Sequence, residues 1–204
     1  MRYKNLSPGE FCQLPTPSSW LTQAQSQWQI ILVDHAHCER KAADFGINIL
    51  KSYPDYLDIQ MTISKLIREE MRHFELVLQL IKKYDINFVP LSPCMYAKSL
   101  HSGIRVGNRE SKLLDLFITA AFIEARSCER FHKLCQVHPI DEIKIFYGKL
   151  FDAEQRHFQL YLDYGYQFFS PSEVDRRVED FRIIENRSIA AEESNFRFHS
   201  GQPH

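Results

Sequence analysis

The stretch REEMRHFELV, residues 68–77, places Glu70 three positions before His73. Residues three apart on a helix lie on nearly the same face, so both side chains can reach one point. The same spacing recurs at Glu154 and His157 in DAEQRHFQLY, and both stretches share the pattern E-x-R-H-F. Carboxylate and imidazole groups are common metal ligands. This internal repeat therefore predicts a metal site to which two helices each give a Glu-x-x-His pair.

Two further glutamates match the plan of a dinuclear carboxylate bundle. In such bundles, two helices give Glu-x-x-His pairs and the other two each give one inward glutamate. Glu39 lies 31 residues before Glu70, and Glu124 lies 30 residues before Glu154. Small or apolar residues surround both at helical spacing, as expected for a buried face. We predict six metal ligands: Glu39, Glu70, His73, Glu124, Glu154 and His157.

A third Glu-x-x-His pair, Glu129 and His132, does not fit this plan. Glu129 lies only 25 residues before Glu154. Its neighbours at helical spacing include Arg126 and Lys133, a pattern typical of a solvated face. We predict that Glu129 and His132 lie on the surface.

The six predicted ligands would bring four carboxylates into an apolar interior. Two divalent ions would balance their charge, whereas without metal the burial and mutual repulsion would be costly. Oxygen and imidazole ligands without thiolate favour iron or manganese over copper or an iron–sulfur cluster, with zinc still open. His35 lies one turn before Glu39, where it could contact that ligand, line a pocket or be an ordinary hydrogen-bonded histidine.

Helical periodicity predicts five helices that would carry these residues. Their approximate ranges are 18–52, 54–84, 110–136, 140–165 and 171–193. Arg72 and Arg156, between Glu and His in the two motifs, would point away from the metal and pair with acids on neighbouring helices.

Residues 85–109 form a long connection with two prolines and two glycines. Connections of this length are usually functional or cross over between elements that point the same way. The predicted fold class is therefore all-α, a ferritin-like four-helix bundle with a long crossover between helices 2 and 3 and an additional C-terminal helix. An ordinary helical bundle without a metal site is the alternative.

The composition bounds the organisation of the chain. With 204 residues, 44% of them hydrophobic, we expect a single domain over residues 1–204, with a leader at 1–19 and a frayed tail at 194–204. A net charge of −1 does not suit a protein that coats nucleic acid indiscriminately.

The cysteines and the hydropathy indicate the compartment. The five cysteines are scattered and form no C-x-x-C pair, so neither a disulfide framework nor a thiolate zinc site is expected. No signal peptide or membrane-length apolar run is visible. We expect a cytoplasmic protein without a membrane partner.

The chain resembles the tRNA-modifying non-haem di-iron hydroxylases that act on 2-methylthio-N6-isopentenyladenosine. The resemblance covers nearly the whole chain and rests on ILVDHAHCERKAA, IREEMRHFELVL, FIEARSCERF and FDAEQRHFQLYL, which contain all six predicted ligands. It implies a centre of two iron ions, O2 as co-substrate, an external electron donor and an electron-transfer partner. It also implies that the substrate is the tRNA anticodon loop, in which the isopentenyl group of adenosine 37 is hydroxylated.

The crossover and the start of the next helix carry a local excess of positive charge. This stretch contains one acid, Glu110, and four cations: Lys98, Arg105, Arg109 and Lys112. These cations could contact RNA phosphates, or they could simply be a solvated loop.

Two other functions remain open from the residues. A ferritin-like iron-storage or peroxide-detoxifying protein would use the same ligands. Storage would require a multimeric shell, and detoxification would need no substrate pocket. A non-enzymatic helical interaction protein would bind no metal.

Overall fold

A computed structural model describes residues 1–204, and helices dominate it. The only strands are two residues long and pair in parallel, Glu192 with Gln202 and Glu193 with Pro203. The all-α prediction is confirmed. In chain order the elements are α1 (Pro8–Cys12), α2 (Ser18–Ser26), α3 (Trp28–Ser52), α4 (Leu57–Lys83), α5 (Tyr96–Ser102), α6 (Arg109–Val137), α7 (Asp141–Phe168), α8 (Pro171–Ala190), β1 (Glu192–Glu193) and β2 (Gln202–Pro203).

Apart from shifts of up to three residues at the helix ends and the short α1 within the predicted leader, the predicted helices differ from the observed ones in two places. The single helix expected over 18–52 is interrupted at Gln27, whose φ of −115° and ψ of 37° are not helical. The connection 85–109 contains the short helix α5, which was not predicted. The seven residues of α5 are too few to produce a clear helical period in the sequence.

The chain divides into two compact units, residues 27–92 and residues 1–26 with 93–204. The expectation of one domain over residues 1–204 stays a prediction. The smaller unit is the pair α3 and α4, which pack along each other. Its buried positions on α4 recur every three or four residues, as an amphipathic helix requires. They include Ile59, Ile63, Leu66, Glu70, His73 and Val77.

Gly46 allows α3 and α4 to approach closely. A Cβ atom at this position would lie 2.7 Å from Cγ1 of Ile67 and 3.3 Å from Cγ2 of Ile63. Gly46 lies two helical turns after Glu39, so the close approach occurs on the helix pair that carries three of the predicted ligands.

The larger unit is built on the hairpin of α6 and α7. Asn108 begins α6 by accepting a hydrogen bond from Ser111 N at 2.8 Å, an N-cap that satisfies a free helix donor. The N-terminal α1 packs against this hairpin. Its Phe11 ring lies 4.5 Å from the Phe122 ring and 4.9 Å from the Phe158 ring, centroid to centroid. The predicted leader is therefore part of the packed structure.

A buried ion pair connects α6 to α8. Arg126 is fully buried, and its Nε donates to Glu185 Oε1 at 2.8 Å. The same guanidinium donates to the Leu14 carbonyl at 2.8 Å and to Glu129 Oε2 at 3.1 Å. Burial raises the pKa of Glu185, an effect that the Arg126 charge opposes. Arg126 thus holds the N-terminal segment and α8 on one side of α6.

The C-terminal residues are packed, so the prediction of a frayed tail over 194–204 is wrong. Phe196, Phe198, His199 and Ser200 are buried. Arg130 on α6 donates to the Phe198 carbonyl and, at 2.7 Å, to the Ser200 carbonyl. No local pattern predicts this arrangement, since it depends on contacts some 70 residues apart in the chain.

None of the helices has the length and apolar character that crossing a membrane requires.

We predict that Arg126→Met lowers the free energy of unfolding by about 3–5 kcal/mol, because it leaves the Glu185 carboxylate buried without its cation. Urea denaturation followed by circular dichroism measures the change. Arg72→Met is the matched control, since Arg72 and Glu75 form an exposed pair on one helix and should contribute less than about 1 kcal/mol. Equal losses in both variants would contradict the importance of the buried pair.

Candidate metal centre

The unit of residues 27–92 brings three of the predicted ligands together. Glu39 on α3 and Glu70 and His73 on α4 place ligand atoms within 4.8 Å of one another. His73 Nδ1 lies 3.7 Å from Glu39 Oε2 and 3.7 Å from Glu70 Oε2. All three side chains are buried. We call this group the first triad.

His35 contacts the first triad through Glu39. Its Nε2 lies 2.5 Å from Glu39 Oε1, one helical turn along α3. His35 is only 1% exposed, so water does not compete for this hydrogen bond. Of the interpretations left open by the sequence, the structure supports the contact with Glu39, a predicted ligand. The i, i+4 spacing from Glu39 was the only sequence signal for this role.

The other unit brings together the remaining three predicted ligands. Glu124 on α6 and Glu154 and His157 on α7 place ligand atoms within 4.8 Å of one another. His157 Nδ1 lies 3.0 Å from Glu154 Oε2. These side chains are also buried. We call this group the second triad, and it repeats the composition of the first.

A buried thiol, that of Cys128, lies near the second triad. Burial, followed by the negative charges of Glu154 and Glu124, raises the pKa of the Cys128 thiol well above its usual value. The raised pKa disfavours a thiolate at Cys128. The candidate metal-binding groups in this region are therefore the carboxylates and the imidazole of the second triad.

The donor chemistry of both triads fits a divalent first-row metal. Each triad has two carboxylates and one imidazole, enough charge to balance one divalent ion. Without a cation, burying two negatively charged carboxylates side by side would cost folding free energy. Oxygen and nitrogen donors in this ratio suit iron or manganese.

The prediction for the third Glu-x-x-His pair is half right. His132 is exposed, but Glu129 exposes only 9% of its side chain. Burial tends to raise the pKa of Glu129, but Arg126 and hydrogen bonds from Thr16 outweigh that effect and lower it. The charged neighbours of Glu129 indicated solvent in the sequence, whereas in the fold Arg126 is a buried partner.

The arginines between Glu and His do not pair with neighbouring helices, contrary to the prediction. Arg72 pairs with Glu75 at 3.2 Å, and Arg156 donates to the Asp152 carbonyl at 2.9 Å. Both partners lie on the same helix as the arginine, and both arginines are exposed.

The predicted RNA-binding cations have different environments. Lys98, Arg109 and Lys112 are exposed. Arg105 instead donates from Nε to Asp115 Oδ2 at 2.8 Å and from Nη1 to Glu173 Oε1 at 3.1 Å. These bonds occupy its guanidinium within the protein.

We predict that His35→Leu weakens iron(II) binding by about 10- to 100-fold, because Glu39 loses the hydrogen bond that orients it. Competition with a chromophoric chelator under anaerobic conditions measures the affinity. His35→Gln, which keeps a donor, should recover part of the loss. His132→Leu, at an exposed histidine, should bind iron as the unmodified protein does; unchanged affinity in His35→Leu would contradict the role assigned to His35.

Comparison with known proteins identifies the family of this chain. The family model described as tRNA-(MS[2]IO[6]A)-hydroxylase (MiaE) matches residues 5–200. A tRNA 2-(methylsulfanyl)-N(6)-isopentenyladenosine(37) hydroxylase from Pseudomonas putida is 37% identical, over 95% of this chain and 93% of the relative. A hydroxylase of the same name from Salmonella typhimurium is 30% identical, over 95% of this chain and 88% of the relative.

A solved structure shares the fold. The Synechococcus protein described as having aldehyde deformylating oxygenase activity superposes with a TM-score of 0.89 and 34% sequence identity, covering 92% of this chain and 94% of that one. The ferritin-like fold class is thereby confirmed. Since the family model and both relatives cover nearly all of the sequence, the chain belongs to the MiaE family of tRNA hydroxylases.

Proposed function

We propose that the protein hydroxylates the isopentenyl group of 2-methylthio-N6-isopentenyladenosine at position 37 of tRNA, as a cytoplasmic, O2-dependent di-iron monooxygenase. The observation that carries this proposal is the presence of two buried triads of identical composition in a member of the MiaE family. The family membership supports the substrate, and the triads support the chemistry.

The six predicted ligands would hold two iron ions as one dinuclear centre. Ferritin-like bundles combine Glu-x-x-His pairs and single glutamates from two helix pairs in this way. Each triad supplies two carboxylates for one ion, so the charges balance. His35 would fix the orientation of Glu39, and this limits the number of ways in which that carboxylate can bind.

The reaction requires an oxidant because the target is a terminal methyl group. Such a C–H bond has no acidic proton that a side chain could remove as a general base. When bound, the two iron ions supply the oxidising power, with O2 as co-substrate and an electron-transfer partner as the source of two electrons. The protein contributes binding, orientation and the exclusion of water, for which the burial of both triads is suited.

The substrate position is compatible with entry into a pocket. Adenosine 37 lies in the anticodon loop, where an unpaired base can turn outward without the opening of a duplex. The exposed cations Lys98, Arg109 and Lys112 would contact the phosphates of that loop or its stem. Arg105, bound to Asp115 and Glu173, would support the crossover instead.

We predict that one atom of labelled 18-O dioxygen enters the isopentenyl side chain in a single turnover. The reduced, iron-loaded protein is mixed with the labelled gas and isopentenylated tRNA, and the digested nucleosides are analysed by mass spectrometry. The second oxygen atom takes up two electrons and two protons and leaves as water. An iron-storage protein would instead oxidise its iron without altering the RNA and would bind iron beyond two ions per chain. Label that comes from water, or unmodified adenosine after complete oxidation of the iron, would contradict the hydroxylase function.

We predict that changing Lys98, Arg109 and Lys112 together to glutamine weakens tRNA binding and flattens its dependence on salt. Each lost phosphate contact should reduce the slope of log K against log salt by about 1. Turnover of the isolated modified nucleoside should be largely unchanged, since it has no phosphates to contact. Binding isotherms at several salt concentrations measure the slope.

A matched control variant replaces three other exposed cations of the same unit, Lys4, Lys149 and Arg176, with glutamine. It changes the net charge by the same amount but should leave the slope nearer to that of the unmodified protein. Equal effects of the two triple variants would mean that net charge, rather than the crossover, determines the binding.

A further inference from the structure

The segment that follows α4 is held against α3. Asp85 adopts a left-handed backbone conformation with a φ of 51°, and Ile86 N donates to the Ile81 carbonyl at 3.0 Å. This is the hydrogen bond of a Schellman cap, which ends α4 and turns the chain. His37 on α3 then contacts the segment, with Nε2 at 2.9 Å from the Val89 carbonyl.

This contact fixes an aromatic stack at the surface. A carbonyl only accepts hydrogen bonds, so His37 Nε2 carries the proton and Nδ1 accepts from Arg40 Nη2 at 3.3 Å. The Phe88 ring lies on the His37 imidazole, with centroids 4.7 Å apart and planes at 27°. Phe74 on α4 supports Phe88, with centroids 6.3 Å apart.

The stacked ring is positioned but not covered. Phe88 remains 40% exposed and its neighbour Val89 46% exposed, while the supporting His37 is only 8% exposed. A phenylalanine that served only to anchor the segment would stabilise the fold more if its ring were fully buried. The segment therefore presents to solvent a partly exposed aromatic ring that packs on His37 and Phe74, residues of the helix pair that carries the first triad.

One cation lies directly beside this stack, because Arg40 Nη2 is 3.3 Å from His37 Nδ1, and three more occur on the same helix pair. Arg40 and Lys41 follow His37 on α3, and Lys82 and Lys83 lie in the last turn of α4. All four are exposed, against the exposed acids Asp44, Asp85 and Glu75, of which Glu75 pairs with Arg72 at 3.2 Å. Aromatic rings bordered by cations are the usual means of binding unpaired nucleotides, because the ring stacks on a base while the cations contact the backbone.

We propose that Phe88, supported by His37, is a stacking platform for an unpaired nucleobase of the tRNA anticodon loop. The inference rests on the proposed function and adds a base-binding surface to it. Stacking requires no base-specific hydrogen bonds, so the platform would accept more than one base identity. His37 acts here as a positioning residue, because it orients Phe88 rather than the RNA.

The test compares Phe88→Leu with Phe88→Tyr in binding to a synthetic anticodon stem-loop that contains isopentenylated adenosine 37. Leucine keeps an apolar side chain for packing on Phe74 but removes the aromatic face, whereas tyrosine keeps that face. The expected result is a loss of affinity of about 5- to 100-fold for Phe88→Leu and nearly unchanged affinity for Phe88→Tyr. Iron-loaded protein without reductant is used, so that no turnover occurs during the titration.

Two controls separate stacking from other effects. Met61→Ala removes another exposed apolar side chain from the same unit, 55% exposed on α4, and should not change stem-loop affinity. A fully paired RNA duplex of the same stem offers no unpaired base, so Phe88→Leu should bind it as the unmodified protein does. Thermal melting of each variant identifies any loss of folding.

The outcomes distinguish this inference from the proposed function. Phe88→Leu that binds the stem-loop as tightly as the unmodified protein, or that loses affinity equally for the duplex, overturns the platform while leaving hydroxylation intact. Failure of the unmodified protein to incorporate 18-O and to prefer the stem-loop over the duplex overturns both.

Discussion

The burial of four carboxylates is the constraint on which the rest of this structure depends. Glu39 and Glu70 lie on one helix pair and Glu124 and Glu154 on the other, and none exposes more than 6% of its surface. Buried carboxylates without cations would destabilise the fold. A metal ion at each triad would neutralise these charges and connect the helices that carry them. Metal binding would then stabilise the fold as well as supply the chemistry.

Helix α6 combines the chemistry with the assembly of the larger unit. Glu124 belongs to the second triad, while Arg126 and Arg130, two and six residues later, hold the N-terminal segment, α8 and the C-terminal tail through buried hydrogen bonds. The same helix therefore positions a predicted ligand and fixes the segments around it. Substitutions in the tail should accordingly change the packing of α6, although the tail contains none of the six predicted ligands.

The sequence predicts features that depend on residues close together in the chain and on the helical period. The duplicated E-x-R-H-F motif and the matched spacing to Glu39 and Glu124 predicted both triads, because a helix fixes which residues share a face. Contacts between distant segments left no such pattern. Three features depend on tertiary contacts: the hydrogen bonds from Arg130 to carbonyls of the tail, the pair of Arg126 with Glu185, and the low exposure of the Glu129 side chain. Charged neighbours look the same in a sequence whether they are solvated or paired in the interior.

The central proposal is that the six predicted ligands hold one pair of interacting iron ions. The most direct measurement is electron paramagnetic resonance of the iron-loaded protein during stepwise reduction, with the iron content determined on the same sample. Two irons per chain, a silent oxidised state and a new signal from a coupled iron(II)–iron(III) pair at half reduction are the predicted results. Signals of isolated high-spin iron(III) in the oxidised protein, or full iron content in Glu154→Ala, would contradict the claim.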